Sequence, residues 1–590
     1  MTPPARHILT VNVEDYFQVG TFNQFIQKNR WPRFESRIEI TTDRTLELLA
    51  KHHATATFFV LGWIADQFPQ LVKKIADAGH EVGVRGYYHR SVRGMTPEEF
   101  KADLIRARNA VEDAAGRKVF GYRLADGWLR PDDLWALDAL AESGFAYDSS
   151  IAPMREGFGD DPRRFTPHEH RDGSHSVLEL PISTGNILGV RVPVAGGNYL
   201  RQIPRWLTRR AADKWVGAHP HPLVAYFHTW ELDPDQPQLS GIGTLRRLRH
   251  YRNLKGMPAR IGELLSRYMF GSAAEYLGLV PEAPPPRTIF TTTPTAADTQ
   301  RLTRTPTVAD GPVQAVAVVV PLYNEGLLIP HLKNTLDELS DRLGTRYDLE
   351  FLLVDDGSTD DTWVKVNATF AGRPNYHLLR HDANQGVAGA ILTGIRAAHC
   401  DTVCSMDSDC SYDPLKLAEM IPLLTPGVDL VTASPYHPGG GVRNVPGWRL
   451  TLSKGCAWLY RRILNTKLHT YTSCFRVYRR STVAAIPIKN TRFLGIAELV
   501  GRLDLAGKTV LEYPAVLETR MIGRSKMKTV QTVLGHLGLM LRLMFDRRRQ
   551  DGAADRDQVI RGQLGHLKKT LAAEPRPAPP APNPVPATPA

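Results

Sequence analysis

Carboxylates follow three apolar segments in the C-terminal half of the 590-residue chain. The acidic groups that follow these segments are Glu325, Asp355 with Asp356, and Asp407 with Asp409. If the segments are parallel strands, their carboxyl ends meet at one edge of an open α/β sheet, where such sheets bind ligands. Asp407 and Asp409 can then bind Mg²⁺ or Mn²⁺ through oxygen and, through the cation, a departing diphosphate. One Asp-x-Asp alone is usually a structural or solvated loop, but three such strand ends predict a nucleotide site.

The kind of acceptor decides which residues its site needs. A lipid phosphate is already ionised near neutral pH and needs cations to position it, whereas a sugar hydroxyl needs a carboxylate to take its proton. The C-terminal half offers cations for the first task, with surface ion pairing as their competing interpretation.

Both halves alternate short β-branched runs with amphipathic segments. Thr57–Val60 precedes a helix-like run over 64–78, and Ala315–Val320 precedes one over 327–343. This alternation predicts mainly parallel α/β architecture in both halves.

From about Ala315 to about Met544 the chain resembles the family 2 glycosyltransferases, and within them the polyprenyl-phosphate sugar transferases of the dolichol-phosphate mannose synthase type. The resemblance implies an inverting enzyme of GT-A, Rossmann-like fold that uses a GDP- or UDP-sugar. Its acceptor would be a polyprenyl phosphate or a glycan, in the synthesis of cell-surface polysaccharide or glycolipid. Ser411 stands where that subgroup often has a side-chain amide as a further metal ligand.

The resemblance also implies the roles of individual residues. The catalytic set would be Asp409, Arg476, Glu498, Arg520 and Lys526. In this set Arg476, Arg520 and Lys526 would approach the acceptor phosphate and the donor diphosphate, and Glu498 would be a base or a scaffold residue. The nucleotide-sugar site would be formed by Pro321, Tyr323, Glu325, Asp355, Asp356, Asp382, Gly386 and Asp407. Asp407 and Asp409 would hold the metal.

The N-terminal half, from about His7 to about Phe270, resembles the polysaccharide deacetylases of carbohydrate esterase family 4, closest to a bacterial branch associated with exopolysaccharide loci. The likeness rests on Val11-Asn12-Val13-Glu14-Asp15, Arg85-Gly86-Tyr87-Tyr88-His89, Arg123-Leu124-Ala125-Asp126, and the segment that begins at His228. It implies a distorted, partly open (β/α) barrel. It also implies a pocket lined by Asn12, Glu14, Asp15, Arg85, His89, Arg123 and His228.

The deacetylase pattern is altered at positions that converge on this pocket. The family needs a carboxylate base and a metal held by one carboxylate and two histidines. Asn12 replaces the base with an amide that cannot accept a proton, and Arg85 replaces a histidine ligand with a permanent cation. We therefore expect no cofactor and no hydrolysis here, and Zn²⁺ only if the half is an active deacetylase.

Composition divides the chain into four parts. These are a deacetylase-like domain over 1–270, a Pro/Thr-rich linker over 271–312, a glycosyltransferase domain over 313–549, and a polar, Pro/Ala-rich tail over 550–590. Within the third part, Val530, Val533, Leu534, Leu537, Leu541 and Met544 recur at helical spacing among basic residues. Such a helix could lie on an anionic bilayer or pack on the core, and the sequence does not choose between the two.

Charge and cysteine content indicate the compartment. The net charge of +12 suits an anionic partner, and the five cysteines match no zinc pattern. We expect no secretion signal and no membrane span, and hence a bacterial protein in the cytoplasm, peripheral at the inner face of the cytoplasmic membrane. Nucleic-acid binding is not expected, because the basic clusters lack interleaved aromatic residues.

Three functional interpretations remain. The first is a glycosyltransferase with a degenerate deacetylase-like domain, the second a bifunctional deacetylase and glycosyltransferase, and the third a non-catalytic carbohydrate-binding scaffold. Asn12 and Arg85 count against the second, and the set of Asp355, Asp407 and Asp409 counts against the third.

Overall fold

The structure, a computed structural model, describes residues 7–23, 25–154, 165–240, 242–280, 313–445, 447–523 and 529–547. The chain forms two compact units, Met1–Thr305 and Pro306–Ala590. Lys526, most of the proposed linker, and the tail lie outside the described residues.

The first unit is built on a mainly parallel sheet. Its strands are β1 (His7–Val13), β2 (Thr57–Val60), β3 (Glu81–Val84), β4 (Gly121–Tyr122), β5 (Tyr147–Asp148), β6 (His168–Asp172), β7 (His175–Glu179), β8 (Thr184–Ile187), β9 (Val190–Pro193), β10 (Val224–His228) and β11 (Phe270–Gly271). The sheet order is β10-β1-β2-β3-β4-β5-β7-β6, with β11 also paired to β1, and only β6 with β7 is antiparallel among these pairs of described strands. β8 and β9 form a separate antiparallel pair.

Helices flank this sheet. They are α1 (Ile38–Lys51), α2 (Gly62–Gln67), α3 (Pro69–Asp77), α4 (Pro97–Ala115), α5 (Trp135–Glu142), α6 (Gly197–Gln202), α7 (Arg205–Ala218), α8 (Thr244–Tyr251), α9 (Met257–Arg267) and α10 (Ala273–Leu277). Strand β1 is buried along its whole length, as expected for a central parallel strand covered on both faces. The strand–helix alternation confirms the predicted α/β class.

The first unit extends further along the chain than composition predicts. Gly271 in β11 pairs with Ile8, and α10 lies inside the range proposed as linker. Ser272 caps this helix by accepting a hydrogen bond from the Glu275 N–H, and Gly278 ends it in the left-handed conformation. The proline-rich composition that suggested a linker begins only after this helix.

The second unit carries an open mixed sheet. Its strands are β12 (Gln314–Leu322), β13 (Tyr347–Asp355), β14 (Tyr376–Arg380), β15 (Thr402–Ser405), β16 (Leu430–Ser434), β17 (Gly441–Arg443), β18 (Arg476–Arg479), β19 (Val510–Pro514) and β20 (Val516–Glu518). The order is β14-β13-β12-β15-β18-β16-β19, with β18 antiparallel to both of its neighbours, while β17 and β20 form a parallel pair.

Helices cover both faces of this sheet. They are α11 (Ile329–Leu343), α12 (Thr362–Phe370), α13 (Val387–Ala397), α14 (Leu417–Met420), α15 (Gly447–Ile463), α16 (Arg480–Val483), α17 (Leu494–Leu505) and α18 (Thr529–Arg547). Side chains of α11 and α12 pack on one face of β12 and β13, and those of α13, α15, α17 and α18 pack on the other. The predicted α/β class is confirmed here too.

Helix α18 has two apolar faces. Its buried face presents Leu539, Met540 and Leu543 to the core. The residues of the predicted apolar stripe that the structure describes are Val533, Leu534, Leu537, Leu541 and Met544, and all are exposed. The helix therefore packs on the core, as one of the two interpretations predicts, but it does so through a different face from the predicted stripe.

Among the helices of the described ranges, none has both the length and the apolar character needed to cross a membrane.

Candidate active site

Three strands of the second unit deliver acidic residues to one edge of the sheet. β12 is parallel to β13 and to β15, with Leu322 opposite Asp355 and Val319 opposite Ser405. Because the three strands run in the same direction, the residues that follow them share the carboxyl edge. The structure thus brings together the strand ends that the sequence predicts to meet.

Asp355 is a buried carboxylate that lacks hydrogen bonds. It ends β13 with no exposed surface, and neither of its oxygens accepts a hydrogen bond from the described residues. Arg380 forms an ion pair with it, with Nε 3.1 Å from Oδ2. An unsatisfied buried polar group is costly, so this carboxylate suits a ligand that donates N–H or O–H groups. The sequence reasoning did not single out Arg380.

Asp356 has a different environment from its neighbour. Its Oδ1 accepts from the Gln385 N–H at 2.8 Å and faces His381 Nδ1 at 2.8 Å, while its Oδ2 accepts from the Gly386 N–H at 2.7 Å and from Asn384 at 3.0 Å. Both oxygens of this carboxylate therefore contact groups of the loop that precedes α13. Its contacts thus assign Asp356 the positioning of that loop.

The same loop carries two other predicted nucleotide residues. Asp382 is exposed. Gly386 precedes α13 with φ of 101°, and a Cβ there would lie 2.5 Å from the Cα of Arg492. Glycine is required at this position for both reasons, so its role is to allow the close approach of two backbone segments.

The segment after β12 contributes the remaining predicted nucleotide residues. Pro321 and Tyr323 are half-buried at the sheet edge. Asn324 adopts φ of 52°, and its side-chain oxygen accepts from the Thr359 N–H at 2.7 Å. The next residue, Glu325, forms an ion pair with Arg520. This pair joins the start of the second unit to the segment that follows β20.

Asp407 and Asp409 lie at the centre of this edge. Burial and the charge of Asp409 raise the pKa of Asp407 to about 7, against opposing effects of the Cys474 thiol and of Arg520. Asp409 Oδ1 accepts from the Ser411 N–H at 3.0 Å and from its hydroxyl at 2.7 Å. Two carboxylates that repel each other in a partly buried position fit a divalent cation with oxygen ligands. Ser411 thus orients Asp409, a role that the sequence reasoning missed.

Arg520 is the predicted cation that the structure places beside the acidic pair. Its Nε lies 3.9 Å from Asp409 Oδ2 and donates to the Ile522 carbonyl at 2.7 Å. It is therefore held between Glu325 and Asp409, close to where a diphosphate bound through Asp407 and Asp409 would lie. Lys526 lies outside the described residues.

Arg476 lies elsewhere than predicted. It is fully buried, and its guanidinium donates to the carbonyls of Ile496 and Tyr471, each at 2.9 Å, and to the Thr432 hydroxyl at 3.2 Å. These bonds satisfy the side chain within the fold. We therefore revise its role from contact with the acceptor to positioning of the segment 471–476.

Glu498 has a scaffold role. Its carboxylate is buried and accepts from the backbone N–H of Asn490 at 2.8 Å, from the side-chain amide of the same residue at 2.5 Å, and from Arg502 at 3.3 Å. Burial would raise its pKa, but these hydrogen bonds lower it below its ordinary value. An enclosed carboxylate of low pKa is a poor proton acceptor. The catalytic role predicted for Glu498 is therefore not supported by its contacts.

In the first unit, the deacetylase-like pocket is organised around Glu14. This fully buried carboxylate forms an ion pair with Arg85, and it lies 2.5 Å from His228 Nδ1 and 3.3 Å from His89 Nε2. The Trp230 indole also donates to it at 3.1 Å. Burial would raise the pKa of Glu14, but Arg85 and His228 hold it well below its usual range. A permanent cation thus lies against the carboxylate that a metal would need.

The other altered positions of this pocket are also accounted for. The Asn12 side-chain oxygen lies 3.4 Å from the Arg123 guanidinium, which also donates to the Thr10 hydroxyl at 2.7 Å. The Asp15 carboxylate accepts from the Ser36 hydroxyl and from the Arg37 N–H, each at 2.8 Å. Asp15 therefore holds the entry to α1, which corrects its assignment to the pocket.

A cleft of about 650 Å³ opens beside this cluster. Its lining includes His228 and Trp230, and Arg246 and Arg249 of α8. Such a cleft has room for a ligand with both apolar and polar faces, as sugars have.

Comparisons with known proteins agree with this division. Residues 317–486 match the family model described as Glycosyl transferase family 2. Residues 31–143 match that described as Polysaccharide deacetylase, and residues 149–278 match a Domain of unknown function (DUF3473).

Two curated relatives are similar to the C-terminal half. The chain is 30% identical over 224 residues to the polyprenol monophosphomannose synthase of Mycolicibacterium smegmatis. The matched region covers 37% of this chain and 82% of that protein. The chain is also 30% identical over 218 residues to the undecaprenyl-phosphate mannosyltransferase of Micrococcus luteus, which covers 36% of this chain and 87% of that protein.

Among solved structures, a glucosyl-3-phosphoglycerate synthase from Mycobacterium tuberculosis, in complex with Mn²⁺ and UDP-glucose, is similar. It is 20% identical, covers 39% of this chain and 79% of that chain, and has a TM-score of 0.31.

Proposed function

The chain belongs to glycosyl transferase family 2, and we propose that its second unit transfers a sugar from a nucleoside diphosphate donor to a polyprenyl phosphate, with inversion at the anomeric carbon. The observation that carries the proposal is the meeting of Asp407 and Asp409 with the unsatisfied carboxylate of Asp355 at one sheet edge. The names of both curated relatives favour a mannosyl donor and a polyprenyl phosphate acceptor.

The donor site follows from the contacts of these residues. Asp407 and Asp409 would hold Mg²⁺ or Mn²⁺, which would neutralise the diphosphate as it leaves. Asp355 would accept hydrogen bonds from the base or ribose, since its oxygens form an ion pair with Arg380 but accept no hydrogen bond from the described residues. Arg520 would stabilise the negative charge that develops on the leaving group.

The acceptor class follows from the contacts of Glu498 and Glu325, the two glutamates that could act as a base. Glu498 is enclosed by its own hydrogen bonds, and Glu325 is paired with Arg520. A phosphate acceptor needs no base at neutral pH, whereas a sugar hydroxyl does. This difference favours polyprenyl phosphate over a glycan.

A lipid acceptor requires contact with a membrane, and the exposed helix surfaces support one. Large apolar side chains are exposed on two helices. These are Trp448 and Trp458 on α15, and Leu534, Leu541 and Phe545 on α18. Basic residues in the same two helices are Arg461, Arg462 and Arg542. Apolar side chains beside cations fit the surface of an anionic bilayer. We propose peripheral attachment to the cytoplasmic face of a bacterial membrane.

Transfer of radiolabelled sugar from a panel of GDP- and UDP-sugars tests the reaction. The assay contains Mn²⁺ or Mg²⁺ and either polyprenyl phosphate or a glycan, and mannosyl donors are tested first. Label should enter the organic-extractable lipid with wild-type protein and with Asp348→Asn, a substitution of an exposed acid in β13. It should be lost with Asp409→Asn. Label found only in glycan would contradict the proposed acceptor class.

For the first unit we propose binding of a carbohydrate without hydrolysis. The support is the cleft beside a pocket in which Arg85 occupies the side of Glu14 that a metal would need. The alternative is a deacetylase that acts with Zn²⁺. Acetate release from N-acetylated glycans, measured with added Zn²⁺, distinguishes the two: the proposal expects glycan binding with no acetate, and acetate release would contradict it.

A further inference from the structure

A separate group of ligand atoms lies on the second unit, away from the candidate active site. Glu350 is in β13, His377 is in β14, and His399 follows α13. Glu350 lies five residues before Asp355 in the same strand, which places the two about 16 Å apart. The group is therefore independent of Asp407 and Asp409.

The three side chains converge closely. Glu350 Oε2 lies 2.8 Å from His399 Nδ1 and 3.5 Å from His377 Nε2. Each of the three residues offers one ligand atom, and these three atoms all lie within 4.8 Å of one another. Among the described residues, no other group of three histidines, cysteines or acidic residues has this spacing. Around tetrahedral Zn²⁺ with bonds of about 2.0–2.2 Å, neighbouring ligand atoms are about 3.4 Å apart. Small side-chain rotations would bring the three atoms to that spacing.

The chemistry of the group suits zinc better than the cations expected at the nucleotide site. Two imidazoles and one carboxylate form a set that Zn²⁺ prefers, whereas Mg²⁺ prefers oxygen ligands alone.

The position of the group gives a metal there a structural effect. The three residues come from neighbouring strands and from the loop that connects α13 to β15. His399 also donates its backbone N–H to Glu350 at 2.8 Å, so the loop is already held against the strand. We propose that Glu350, His377 and His399 bind one Zn²⁺, which joins β13, β14 and this loop and leaves the fourth ligand position to water.

Zinc titration of the full chain tests this proposal. The protein is freed of its affinity tag and of metal, and Zn²⁺ is titrated against a chromophoric chelator in excess Mg²⁺, which saturates oxygen-ligand sites. We expect one Zn²⁺ per chain. His377→Gln and His399→Gln should each weaken Zn²⁺ binding by at least about 100-fold, because loss of a metal ligand should reduce affinity more than loss of a residue hydrogen-bonded to a ligand. His175→Gln, which changes an exposed histidine of the first unit, should bind like the wild type.

Two further readouts keep the result decisive. Zn²⁺ should raise the Tm of the wild type but not of His377→Gln, while the two proteins should have equal Tm without metal, because His377 is 40% exposed. No Zn²⁺ binding by the wild type, or equal binding by the His377 and His399 variants, would overturn the proposal. So would a Zn²⁺ site that is lost in His89→Gln instead, since that residue belongs to the N-terminal pocket.

Discussion

The two pockets of this chain place a carboxylate in opposite electrostatic environments. In the second unit, Asp407 lies beside another acid, and burial with that neighbour raises its pKa to about 7. In the first unit, Glu14 lies beside Arg85, and its pKa is well below the usual range. The first arrangement has two carboxylates close together, with Arg520 3.9 Å from one of them, and suits a metal cation. The second already has a guanidinium in an ion pair with its single carboxylate. Charge balance therefore separates a pocket suited to metal chemistry from one that has lost it.

The largest effect is expected from restoring the missing groups of the first pocket. The double variant Asn12→Asp with Arg85→His restores the base and the histidine ligand of the deacetylase pattern, next to Glu14 and His89. We expect it to bind one more Zn²⁺ per chain than the wild type, measured by metal analysis after gel filtration. Unchanged metal content would mean that more than these two residues separates the pockets.

Removal of Glu14 should destabilise the first unit strongly. Glu14→Ala leaves the buried guanidinium of Arg85 without its counter-ion, which should lower the free energy of unfolding by about 3–5 kcal/mol. Urea unfolding measures the loss. The double variant Glu14→Gln with Arg85→Met removes both charges and should recover most of it, so equal stability of the two variants would argue against the ion pair as the cause.

A smaller effect is expected at the nucleotide edge of the second unit. Asp355→Asn keeps the shape of the side chain but removes the charge of its unsatisfied oxygens. Donor binding should weaken by about 10- to 100-fold, the cost of a hydrogen bond to a charged group. Calorimetry with the nucleoside diphosphate of the active donor measures it. Asp348→Asn is the matched control, and equal affinity in both variants would remove Asp355 from the donor site.

The smallest effect concerns pH. His250 stacks on Trp230 beside the N-terminal cleft, and burial, with a smaller contribution from Arg201, lowers its pKa to about 3. In the unfolded chain the pKa of this histidine is about 6.5, so it binds a proton as the pH falls below that value. The folded protein keeps the histidine neutral and therefore becomes less stable relative to the unfolded chain. When the pH falls from 7.5 to 5.5, this residue should lower the free energy of unfolding by about 1.4 kcal/mol.

Hydrogen exchange on peptides of the first unit checks this pH effect at the two pH values. His250→Gln should show a smaller loss of protection than the wild type. An equal loss in both proteins would exclude His250 as its source.

The sequence was enough to predict the strands of the second unit and the meeting of their carboxyl ends. Parallel strands of one sheet end at the same edge, independently of the segments that connect them. Sequence reasoning failed for Arg476 and Glu498, whose partners are backbone groups such as the Ile496 carbonyl and the Asn490 N–H. Such contacts depend on tertiary structure, and a motif does not reveal them.

Helix α18 shows a second limit of sequence reasoning. It carries apolar residues on two faces, so periodicity identified one stripe but could not tell which face meets the core. In the first pocket, by contrast, the charge of Arg85 was enough to predict a conflict with a metal, since that property does not depend on the fold.

Sugar transfer by three proteins tests the central claim most directly: the wild type, Asp409→Asn, and Asn12→Asp. Each is incubated with the radiolabelled donor, polyprenyl phosphate and Mn²⁺, and lipid-bound label is measured. We expect Asp409→Asn to lose transfer by about a thousandfold, as when a group that stabilises the transition state is removed, and Asn12→Asp to match the wild type. Transfer that survives in Asp409→Asn, or disappears in Asn12→Asp, would contradict the assignment of the chemistry to the second unit.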